Sequence, residues 1–159
     1  MASKSYWSNQ MDLYQGKVNW CKTNSSQWSQ KASGYQGELD KLNEQMKIAK
    51  DVKSKCDDLE PSNQDVIDAL NSLGKEAAAR TECDSCNSAA EKIAQPNAGH
   101  VTDAIKAAQS VIDRLQEQID STTDLLHTAQ DNVSYFDRCA QQYQSSYDDA
   151  AKNYNDAED

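Results

Sequence analysis

The chain has 159 residues, of which 37% are hydrophobic, with two prolines, five glycines and a formal net charge of −10. The acid excess, 26 Asp and Glu against 16 Lys and Arg, argues against the basic stripe of a nucleic-acid surface and against a basic amphipathic membrane helix. No apolar run approaches the ~20 residues of a membrane span.

The first residues, Met1-Ala2-Ser3-Lys4-Ser5-Tyr6-Trp7, lack the apolar core of a signal peptide. Synthesis in the cytosol, with any export independent of a cleavable leader, is the expectation. Low hydrophobicity and high charge also suit a disordered chain, so the order of the apolar residues has to decide.

That order is helical. From Trp7 an apolar or small residue recurs at alternating spacings of three and four: Met11, Tyr14, Val18, Cys21, Trp28, Ala32, Tyr35, Leu39, Leu42, Met46, Ala49 and Cys56, with only Ser25 and Lys53 out of class. A heptad seam this long is a coiled-coil pattern. It predicts a long helix over 5–58, about 80 Å at 1.5 Å per residue. Residues 22–37 are its weak stretch, rich in Ser and Asn and holding Gly34 and Gly37, so a bend or local fraying is expected there.

Pro61 disfavours helical geometry at Glu60, and Ser62 with Asp65 resembles a capping box, so 59–63 reads as a helix end. A middle helical segment over 63–95 follows, with Val66, Ile67, Leu70, Leu73 and Ala77 on one face and a candidate turn at 81–87. Pro96-Asn97-Ala98-Gly99 reads as the second break. The last segment, over 101–154, repeats the seam: Val101, Ile105, Ala108, Ile112, Leu115, Ile119, Thr122, Leu126, Ala129, Val133, Phe136, Ala140, Tyr143, Tyr147, Ala150 and Tyr154.

The two seams pair antiparallel with Trp7 facing Tyr154, Met11 facing Ala150, Ser25 facing Phe136, Trp28 facing Val133 and Cys56 facing Ile105. Large residues then often meet small ones. The predicted fold is a single all-α domain over 1–159, an elongated antiparallel helical hairpin of coiled-coil type, with the short middle segment capping one end. An up-down-up arrangement would make the long helices parallel and expose both seams, so the hairpin is preferred.

Few residues offer chemistry. Cys83 and Cys86 form a CxxC, but redox CxxC pairs usually follow a strand and a zinc site needs about four ligands. His100 and His127 lie far away in sequence. An inert helix turn is the plainer reading, with a small redox or zinc protein as the third functional class. The five cysteines, with Cys21, Cys56 and Cys139 scattered, make a poor disulfide framework, although Cys21 and Cys139 fall close together in the hairpin pairing. No phosphate loop, nucleophile elbow or metalloprotease helix is present. Catalytic, cofactor and metal residues are therefore assigned to none, and the chain reads as a non-enzymatic interaction protein.

Off the seam lie Leu13, Trp20, Ile48 and Val52 on the first helix and Val111, Leu125 and Tyr135 on the last. A middle segment this short covers only part of such a length. An apolar strip should remain, as a surface for a partner helix or for self-association.

The tail ends in Tyr154-Asn155-Asp156-Ala157-Glu158. A leaderless helical hairpin closing on Tyr-x-x-x-Asp/Glu resembles the proteins exported by type VII secretion systems, the WXG-like superfamily. In size and helicity the chain is similar to the small helical partners of LXG toxins. The resemblance implies a targeting chaperone that binds the helical N-terminal domain of a toxin, with Tyr154 and Glu158 as the export signal. The chain has no W-x-G turn; Tyr14-Gln15-Gly16 and Tyr35-Gln36-Gly37 come nearest, inside the first helix. A self-associating structural coiled coil is the alternative.

Overall fold

The structure is a computed structural model that describes residues 3–81 and 84–157. It is all-α: α1 spans Lys4–Thr81 and α2 spans Asp84–Asp156, and the two pack against each other as an antiparallel hairpin. Ser3 starts α1. Its hydroxyl accepts the Tyr6 amide at 3.4 Å, meeting one of the donors a helix N-terminus leaves unpaired, and its carbonyl accepts the Trp7 amide at 3.2 Å as the first bond of the helix.

The seam is where the heptad places it. Every seam position from Trp7 to Cys56, and from Val101 to Tyr154, is buried or half-buried, and most residues between them are exposed. With d assigned to Trp7 and a to Met11, the letters a to g follow along α1. The same assignment in α2 starts from d at Val101. Lys53 keeps its a position by sending its ammonium out to Asp57 at 2.8 Å.

Two compact units make up the chain. One combines Met1–Asp40 with Asp120–Asp159, and the other is Lys41–Ile119. In the first, Val18, Cys21, Leu39, Leu126, Ala129, Ala140 and Ala150 are buried. Its pairing is fixed by contacts across the helices: the Ser25 hydroxyl donates to Asp137 Oδ1 at 2.6 Å, and Lys17 Nζ lies 5.0 Å from the Tyr143 ring centroid. Both lie within a residue of the pairing read from the seams. In the second unit, Leu42, Met46 and Leu115 form a core cluster, with Ala49, Ile112 and Ile119 packed on it.

Three expectations are corrected. The helix end at 59–63 is absent, because α1 runs through Pro61 to Thr81. Pro61 removes one amide donor, which costs about 3 kcal/mol in a helix interior. It sits on the exposed side, however, and the seam resumes beyond it at the buried Ile67. Packing of the second strand of the hairpin offsets what local propensity opposes.

The break at 96–99 is absent too, since α2 contains it. The capping middle segment over 63–95 therefore does not fold back as a separate piece. Its described residues belong to α1 up to Thr81 and to α2 from Asp84.

The third correction concerns 22–37, which is uninterrupted helix without the expected fraying. Poor helix formers are accommodated by bonding back to their own turn: the Thr23 hydroxyl donates to the Asn19 carbonyl at 2.9 Å and the Asn24 amide to the Trp20 carbonyl at 2.8 Å. A Cβ at Gly34 or Gly37 would meet nothing within 4 Å. Gly34→Ala and Gly37→Ala should each stabilise the chain by about 0.5–1 kcal/mol, through lower backbone entropy in the unfolded state. Urea unfolding followed by circular dichroism measures this, and an unchanged or lower midpoint would refute it.

Candidate partner surface

All seven flank residues read from the sequence are exposed. Of these seven, Trp20 is the most open on α1 at 59%, and Tyr135 the most open on α2 at 54%. Leu13, Ile48, Val52, Val111 and Leu125 are also on the surface. Their heptad letters explain why, within each unit, they share a side. Leu13, Trp20, Ile48 and Tyr135 are c positions, and Val52, Val111 and Leu125 are g positions. In an antiparallel pair the g rows of the two helices flank the same side of the seam.

Each unit presents such a face. In the first unit, Trp20 stacks edge-on against Phe136 across the helices, with centroids 5.4 Å apart, and Tyr135 packs on the same ring at 5.2 Å. Leu13, Gly16, Lys17 and Trp20 line a shallow hollow there with Asp12 and Tyr143. In the second unit, Ile48, Ala49 and Val52 of α1 and Ala108, Val111 and Leu115 of α2 line an open groove of about 370 Å³.

Three more exposed residues belong to the face of the second unit and were missed: Leu59 at 58%, Val66 at 56% and Leu73 at 63%. With Val52 they occupy four successive g positions. The signal was present as a seven-residue repeat, hidden only by ending the helix at Pro61.

The cysteines divide. Cys21 is fully buried while Cys56 and Cys139 are half-buried, and all three are free thiols. The Cys139 thiol neighbours Cys21 across the pair. Burial, and then the neighbouring sulfur, push the Cys21 thiol above its ordinary value. The Tyr135 hydroxyl is hydrogen-bonded to Cys139, which raises the Tyr135 pKa.

Cys83 lies outside the described residues, as does the Cys86 side chain, so the CxxC is not placed. His100 and His127 are exposed, and no cluster able to hold a metal occurs among the described residues. Tyr154 is half-buried near the end of α2, and Glu158 lies outside the described residues. No helix among the described residues is long and apolar enough to cross a membrane.

No protein-family profile, curated protein or solved structure matches the chain.

Proposed function

We propose that the chain is a non-enzymatic helical interaction protein of the type VII secretion kind. It binds the helical N-terminal domain of an LXG-type toxin as a targeting chaperone and supplies a C-terminal export signal at Tyr154 and Glu158. The observation that carries this reading is the row of large apolar side chains left exposed on one side of the seam in each unit. Two helices bury one seam between them, and a second apolar side calls for further helices.

The tail deletion 150–159 is expected to abolish export of the pair while leaving the complex intact. Ala150 is only 2% exposed, so the deletion also trims the seam. The double substitution Tyr154→Ala/Glu158→Ala is the narrower form of the same test. Export at the wild-type level from both variants, measured in culture supernatant of the native host, would sink the signal assignment.

A further inference from the structure

The exposed face of the second unit has a charge pattern opposite to that of the chain. From 41 to 73 on α1 and from 100 to 119 on α2, the c and g positions hold Lys41, Lys55, His100 and Arg114 and no carboxylate. The acids of these ranges lie elsewhere: Glu44, Asp51, Asp58, Asp65, Asp103 and Glu117 fall at f, Asp68 and Asp113 at b, Asp57 at e and Glu60 at a. Over these ranges, a chain with a net charge of −10 thus keeps negative charge off its exposed apolar face.

Two of these cations are also uncommitted. Lys55 is held by Asp51 at 2.7 Å, but neither Lys41 nor Arg114 has a carboxylate partner among the described residues.

Geometry adds the shape of the occupant. Val52, Leu59, Val66 and Leu73 recur every heptad, a spacing of about 10.5 Å along the helix. The groove beside Ile48, Val52 and Val111 continues the row. Side chains at that interval are the complement of another helix carrying its own heptad stripe. An extended strand presents same-side residues about every 6.6 Å and falls out of step.

We propose that this face seats a helix of another protein whose apolar heptad stripe is flanked by Asp and Glu. The proposal rests on the function given above and specifies the chemistry of its partner. A second copy fits less well. Face to face it would set Lys41, Lys55 and Arg114 against their own counterparts, and like charges across an interface oppose association.

The test uses the full chain and two synthetic peptides about four heptads long. Both carry leucine at a and d; one has glutamate and the other lysine at e and g. Like charges keep each peptide from pairing with itself. The glutamate peptide should bind about tenfold more tightly at low salt, with the advantage shrinking as salt rises. Leu59→Asp/Val66→Asp should abolish binding, and Lys41→Glu/Arg114→Glu should reverse the preference.

Equal binding of the two peptides, or preference for lysine, overturns the acidic partner while leaving a helical partner in place. The cations then only keep the row hydrated. If neither peptide binds and the chain sediments as a dimer that Leu59→Asp disperses, the occupant is a second copy and the proposal falls. If neither binds and the chain is monomeric, the row seats no helix, and the proposed function loses its surface as well.

Discussion

Mild oxidation is expected to join Cys21 to Cys139 and to raise the free energy of unfolding by up to about 4.7 kcal/mol, the chain-entropy value for closing a loop on the order of 100 residues. Cys139 neighbours the Cys21 thiol across the helix pair, which is the placement a bridge requires. With oxidised glutathione, the half-buried Cys139 exchanges first and takes up one glutathionyl group. Cys21 then attacks the Cys139 sulfur as thiolate and releases glutathione, so one disulfide is reduced as one forms. The buried Cys21 has a raised pKa, with burial as the main cause. Its thiolate is scarce at neutral pH, and closure should accelerate as pH rises towards that value.

The measurement is a urea midpoint that rises on oxidation, returns with reductant and stays unmoved in Cys139→Ser. Mass analysis should show the loss of two hydrogens and one linked peptide pair. Linkage through Cys56, or a persistent mixed disulfide at Cys139, would show that the thiols cannot be bridged in this pairing.

Both seams and their antiparallel pairing were legible in the sequence because a heptad encodes burial directly. Period and face are the same information in a two-helix coiled coil. The seven flank residues were legible for the same reason, since a side chain one step off the seam has nowhere else to go.

Pro61 and the stretch at 96–99 misled because they are local signals, weighed against a tertiary term that no single segment displays. Continuing the letters past Pro61 would have shown Ile67 returning to a, with Val66 and Leu73 at g. Reading those residues as the inner face of a folded-back segment hid the exposed row. The partner's charge was equally out of view. It depends on which lysines share a side with which leucines, and net charge averages that away.

Core and docking face should separate cleanly in a substitution series, with the largest loss of stability at Leu115. Leu115 is 8% exposed and packs with Leu42 and Met46. Leu115→Ala removes a core side chain from a layer that no third helix backs, so water can enter the gap. The loss belongs near the low end of the usual range, about 2–3 kcal/mol. Leu115→Asp adds an unpaired carboxylate among apolar neighbours and should cost on the order of 4 kcal/mol or more, a large share of a typical 5–15 kcal/mol total.

Val111 is on the same helix, one turn away and 46% exposed. Val111→Asp in the isolated chain should stay within about 0.5 kcal/mol of the parent, with Arg114 three residues on as a neighbouring cation. Urea unfolding of the three variants decides it. If Val111→Asp proved as damaging as Leu115→Asp, the c and g side would be covered within the chain itself. If Leu115→Asp were harmless, the two helices would not pair through this seam.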